Sequence, residues 1–146
     1  MRSGREAVAV ALFNLLGGAY AFATKTRTPT LPENVPAGDQ PYFGLELLDE
    51  EDTQNEGVGI TTYTLNFRAY FYARADADPD VAGETFLNRL LDAIDTALQN
   101  PLQPGERVTL GNLVYHAWIE GMLARSNGLI DKQMWLVVPI KAITGI

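Results

Sequence analysis

The apolar positions change their period several times along the chain, and each change marks an element. Val8, Leu12, Leu15 and Leu16, with Ala11, recur at the three-to-four-residue spacing of one helical face, which predicts a first helix over residues 4 to 16. Ser3-Gly4-Arg5-Glu6 has capping-box spacing at its start, and Gly17-Gly18 offers a left-handed stop at its end. From Ala19 to Thr28 the aromatics Tyr20 and Phe22 alternate with alanines before a polar exit at Lys25, Thr26 and Arg27, which reads as a strand. Pro29, Pro32 and Pro36, with Asn34, Gly38 and Asp39, make Thr28 to Gln40 a loop. Pro41 to Leu48 reads as a second strand, and the acidic run Asp49 to Gly57 as a solvated loop.

The clearest strand is Ile60 to Arg74. Strict alternation places Tyr63, Leu65, Phe67, Ala69, Phe71 and Ala73 on one face and Thr62, Thr64, Asn66, Arg68, Tyr70, Tyr72 and Arg74 on the other. At about 3.3 Å per residue it spans about 50 Å, so its end is expected to project from the sheet or bend. Asp78-Pro79 then supplies an N-cap and a first-turn proline. Leu87, Leu90, Leu91, Ile94 and Leu98 mark an amphipathic second helix ending before Asn100-Pro101. After the turn-rich stretch Pro101 to Gly105, two more strands are expected, Leu113 to Leu123 and Gln133 to Ile143. Met134, Leu136, Val138 and Ile140 share one face of the last. Pro139 has no amide donor, so that strand must lie at an edge or pair on one side only there. Helices and strands in this order, without βαβ alternation, define an α+β fold: a single domain over residues 1–146, with a mostly antiparallel sheet packed by two helices.

A chain of 146 residues, 47% hydrophobic and 20% charged, is long enough to bury a core and far from a disordered composition. It contains no cysteine, which excludes disulfides and thiolate metal sites. Arg2 and Arg5 precede an apolar stretch, but Glu6, Asn14 and Gly17-Gly18 interrupt it, so no signal peptide is read. No apolar run approaches the roughly 18 residues of a bilayer span, and no membrane partner is expected. A net charge of −7, with 11 basic residues scattered among 18 acidic ones, argues against direct nucleic-acid binding.

Catalytic chemistry is thinly supplied. The chain's one histidine, His116, lies in an apolar strand and reads as a hydrogen-bonded structural residue, because one His without Cys cannot build the usual zinc sites. Asp49 to Asp52 lack the calcium-loop pattern, and Glu46 and Glu120 read as polar rim positions rather than an acid–base pair. Gly57-Val58-Gly59 lacks the third glycine and the helix of a phosphate cradle and reads as a turn. No catalytic residue, metal or cofactor is therefore expected, and the chain reads as a non-enzyme. Arg68, Tyr70, Tyr72 and Arg74, joined by Trp118 and Trp135, form instead a stripe of residue types enriched in protein interfaces. The alternative is that the second helix covers this face and the aromatics are core. Both faces of the late strands are apolar (Trp135 and Val137 against Leu136 and Val138), more than two short helices can cover.

Several phrases of the sequence resemble the tail terminator, or tail completion, proteins of long-tailed bacteriophages. They are Arg5-Glu6-Ala7, Phe22-Ala23-Thr24, Pro41-Tyr42-Phe43, the long Thr-Tyr-Arg strand and the Phe86-to-Ile94 helix. The longest is Thr109-Leu110-Gly111-Asn112-Leu113-Val114-Tyr115-His116-Ala117-Trp118-Ile119-Glu120-Gly121, followed by Val138-Pro139-Ile140-Lys141-Ala142. The resemblance implies a virion protein at the head-proximal end of the tail, made in the host bacterial cytoplasm. It implies a six-membered ring that caps the finished tail tube, with the tail tube protein, head–tail connector proteins and other copies of itself as partners. DNA then enters only as the genome passing through the lumen, where an acidic wall repels phosphates. The neighbouring readings are a head–tail connector component or a tail-tube subunit. The reading from another class is a small pocketed α+β enzyme or ligand-binding domain, which a dry internal cavity containing Glu46, Glu120 or His116 would favour.

Overall fold

The computed structural model describes residues 4–55, 60–74, 83–99, 105–128 and 132–145. They form an α+β domain with helices α1 (Arg5–Gly17) and α2 (Gly83–Ala97). The strands are β1 (Thr24–Thr26), β2 (Tyr42–Asn55), β3 (Ile60–Arg74), β4 (His116–Ile119), β5 (Ala124–Ser126) and β6 (Gln133–Gly145). The sheet order is β1-β2-β3-β6-β4, with β5 also on β6. All described pairings are antiparallel except that of β1 with β2.

The alternation of β3 is realised as read. Leu65, Phe67, Ala69, Phe71 and Ala73 are buried with Leu45, Phe43 and the inward face of β6, Met134 to Ala142, beneath both helices. From α1 come Val8, Leu12 and Leu16, and from α2 come Leu87, Leu90 and Ile94, at the spacing that keeps one helical face on the sheet. Burying these side chains drives the fold, at about 1.5–3 kcal/mol for each large one.

Several boundaries depart from the sequence reading, each for a local reason. The acidic run is strand rather than loop: Asp49 to Asn55 pairs with Asn66 to Ile60, after a bulge between Leu47 and Asp49. Its charges are tolerated because one face is open and the other meets Arg5, whose guanidinium grips Glu50 with one contact at 2.8 Å and lies over the Tyr63 ring. The far end of β3 is therefore flanked by β2 and β6 rather than projecting alone.

The strand expected over Ala19 to Thr28 shrinks to three residues, because Tyr20 and Phe22 do not alternate but turn together into an aromatic cluster. Phe22 lies 5.5 Å from Phe43 and 5.7 Å from Phe71, and Tyr20 lies 5.9 Å from Phe86. The strand expected over Leu113 to Leu123 is only β4. Positive φ at Leu110, Gly111 and Asn112 makes the preceding segment a left-handed turn, and Gly121 at φ +117 breaks the chain before β5.

The N-cap of α1 is Gly4, with no side-chain cap bond, and Glu6 pairs with Arg27 at 2.9 Å instead of reaching back. The helix closes in the right-handed region, at Gly18 φ −88. Ser3, Asp78-Pro79, Gly57-Val58-Gly59 and Pro101 lie outside the described residues. β6 is central, yet Pro139 meets the second of its expected conditions. It pairs with Arg68 on one side and faces the gap between β4 and β5 on the other, where its carbonyl accepts the Glu120 amide at 3.2 Å.

Candidate self-association surface

Both helices pack on one side of the sheet, so neither α1 nor α2 covers its second face. Cross-strand register builds that face in rows. Arg68 stands between Glu46 and Pro139, Tyr70 between Gly44 and Val137, Tyr72 between Tyr42 and Trp135, and Arg74 opposite Gln133. A further row runs Asn66, Lys141, Trp118. All six predicted residues, Arg68, Tyr70, Tyr72, Arg74, Trp118 and Trp135, therefore share one face, and the second helix does not cover them.

They are not equivalent. Tyr72 is only 3% exposed, stacked on Tyr42 at 4.9 Å, and its hydroxyl donates to the Thr30 carbonyl at 2.7 Å. The proline-rich connection covers it: Pro29 crosses directly over Gly44, where a Cβ would meet it at 2.7 Å, and Val35 completes a small cluster with Tyr42, Tyr72, Tyr70 and Trp135. Burial, then the neighbouring Tyr42, pushes the Tyr72 hydroxyl's pKa well above its ordinary value. Tyr72 thus anchors the fold, and only its neighbours present surface.

Tyr70 is half-buried and donates to Glu46 Oε1 at 2.6 Å. Burial first, then this bond to a carboxylate, raises its pKa, while Arg68 opposes the rise. Trp135, Arg68 and Arg74 are half-buried, and Trp118 lies flat on His116 with ring centroids 5.0 Å apart. Lys141 pairs with Glu120 at 3.5 Å, and Asn66 donates to Asp49 at 2.6 Å. Val137, Pro139 and Ile143, each half-buried, form the apolar floor between these polar groups. The sequence hinted at that floor by making β6 apolar at consecutive positions. It gave no sign that residues 28–40 cover one end, because a proline-rich loop carries no periodicity.

The three residues a pocketed enzyme would need are otherwise engaged. His116 Nδ1 accepts the Val108 amide at 3.1 Å, Glu46 accepts from Tyr70, and Glu120 pairs with Lys141. An open groove of about 630 Å³ lies between α1, the end of α2 and the 107–111 turn. It is lined by Asn14, Leu15, Ala97, Arg107 and Leu110 among others, and by none of those three. Among the described residues no cluster of metal-ligating side chains occurs, and no helix is long and apolar enough to cross a membrane.

No family model matches the sequence, and no curated protein matches it. The fold is similar to that of a chain from a solved structure described as the virion of native gene transfer agent (GTA) particle. The TM-score is 0.55 at 11% identity, over 97% of this chain and 96% of that one. At that identity the likeness establishes a shared architecture from end to end.

Proposed function

We propose that this chain is a structural protein of a phage-type virion, and within that class a tail terminator: a subunit whose ring caps the finished tail tube and presents a docking surface to the head connector. The observation that carries this reading is the end-to-end match to one chain of a gene transfer agent virion, with almost no residue of either left over. Within that class, the sequence resemblance to tail terminators is what favours the terminator role. A sheet covered on one face only suits a subunit completed by neighbours, since a mixed apolar and Arg/Trp/Tyr face is costly to leave in water.

Capping requires a closed assembly. A ring uses two different complementary patches per subunit and stops when it closes, whereas a tube subunit stacks without limit. The absolute mass of the purified protein across concentrations, by light scattering on a sizing column with and without isolated tail tubes, tests this. A discrete ring near six subunits, alone or on tubes, is the expected result. A monomer at every concentration that ignores tubes overturns the reading, and open-ended stacks favour a tube subunit.

A further inference from the structure

We propose that Asn127 is a site of spontaneous covalent modification. The Gly128 amide nitrogen attacks the Asn127 side-chain amide, and water then leaves an aspartyl or isoaspartyl residue in place of the asparagine.

The sequence selects the position. Of the eight asparagines only Asn127 is followed by glycine, whose missing side chain leaves its nitrogen open to approach and its backbone free to turn. The others precede bulkier residues or, at Asn100, a proline with no amide proton to lose. Structure restrains several of them further. Asn14 and Asn88 lie inside α1 and α2, and Asn66 inside β3. After Asn34 the Val35 amide donates to the Pro32 carbonyl at 3.1 Å, and after Asn112 the Leu113 amide donates to the Thr109 carbonyl at 3.0 Å.

Asn127 stands differently. It lies just past β5, outside any helix or strand, and Gly128 takes φ +78. The residue is half-buried, and its Oδ1 is buried without a hydrogen-bond partner among the described residues. The side-chain amide is therefore not anchored through its oxygen, as a buried polar group ordinarily is. β5 itself holds to β6 by only three residue pairs, and Ala124 and Arg125 are exposed, so local opening of this stretch costs far less than unfolding the core.

The step needs water and no other reactant. A bond forms between the Gly128 nitrogen and Asn127 Cγ, the Cγ–Nδ2 bond breaks, and the Gly128 proton departs with the amide group as ammonia. Water then opens the cyclic imide at either carbonyl. Opening at the side-chain carbonyl gives aspartate. Opening at the main-chain carbonyl gives isoaspartate: the chain now runs through Cβ and Cγ, one methylene longer, and the former main-chain carbonyl becomes a free carboxylate.

That carbonyl is a packing surface. Gly83, the first residue of α2, lies directly on it: a Cβ there would overlap the Asn127 carbonyl oxygen, stand 3.2 Å from its carbon and 3.0 Å from Met134 Sδ. Isoaspartate places a charge in this contact and lengthens the chain beside it. Arg125 donates to Asn88 Oδ1 at 2.9 Å across the same junction. Modification thus loosens the first turn of α2 from β5, while Leu90 and Ile94 remain buried in the core.

The full-length protein, native and in urea, is incubated for weeks at pH 7 and pH 9, and peptide mapping follows each asparagine. In the native chain the peptide containing position 127 should gain the mass difference between an amide and an acid before any other asparagine does. The gain should be faster at pH 9, where the Gly128 amide loses its proton more readily, and fastest in urea. Asn127→Ser should abolish it. Hydrogen exchange of the aged native protein should quicken in the first turn of α2 and stay unchanged around Ile94. Modification at position 127 in urea but not in the native chain, or earlier modification of another asparagine in the native chain, overturns the site. Unchanged exchange in α2 of the modified protein overturns the loosening.

Discussion

Tyr72 belongs by composition to an interface and by position to the core. Its ring is sandwiched into the Tyr42 and Val35 cluster, and its hydroxyl ties β3 to the proline-rich connection at Thr30. Tyr72→Phe should therefore cost about 1 kcal/mol at neutral pH, the value of one intramolecular hydrogen bond. The pH dependence has a definite sign. Because the folded pKa is raised, the neutral phenol's contribution to stability is complete below the unfolded value of about 10 and declines as pH climbs above it. Urea titrations at pH 8 and pH 10.5 should show the parent losing more stability between the two than Tyr72→Phe does. Equal losses would mean that other tyrosines carry the alkaline sensitivity.

At the level of elements, what the sequence made legible was what packing enforces. β3 and the inward faces of α2 and β6 read correctly because each buries one face, and burial writes a period into the sequence. Ile94 shows the strength of that constraint. It is fully buried, and Ile94→Ala should cost about 2–5 kcal/mol in a chemical denaturation series; a loss below 1 kcal/mol would mean that α2 is not packed as described. The second half of β2 carried no such signature, since Asp49 to Asn55 is polar on both faces. A different signal was present in the length of β3: a strand from Ile60 to Arg74 calls for antiparallel partners of similar length, and the acidic run lies directly before it in the sequence. Left-handed turns went the other way. Leu110 and Asn112 adopt positive φ without being glycine, so nothing marked the turn that delays the strand expected from Leu113 until His116. The shared face of Arg68, Tyr70, Trp118 and Trp135 was half legible, because alternation fixed the face within each strand while the strand order that unites them had to come from the structure.

Across the whole molecule, the net charge of −7 acquires a direction only once the sheet's two faces are told apart. If the proposed ring turns its bare face to the axis, Asp49 and Glu120 face passing DNA alongside Arg68 and Lys141, a mixed surface that neither grips phosphates nor strongly excludes them. Reversing Asp49 and Glu120 to lysine should slow genome ejection from assembled particles, most visibly at low ionic strength, where phosphate attraction is least screened. An ejection rate unchanged by the reversal removes the idea that this face lines the channel.

The position of β6 in the sheet also sets a timetable. It lies between β3 and the short strands β4 and β5, yet it is translated after all of them, so the ribosome delivers β2 and β3 as a hairpin with one flank bare and β4 and β5 with nothing to hold. The bare face is incomplete in that interval, because Trp135, Val137 and Pro139 reside on the strand still to come, and the two ends of the row that runs from Glu50 through Leu65 and Ala142 to Ala117 are not yet connected. In the proposed ring, a nascent or prematurely released chain would lack that face and could not complete a contact made through it. The same stretch of chain that closes the core also completes the bare face, so in such a ring the completeness of each subunit would be a condition of its incorporation.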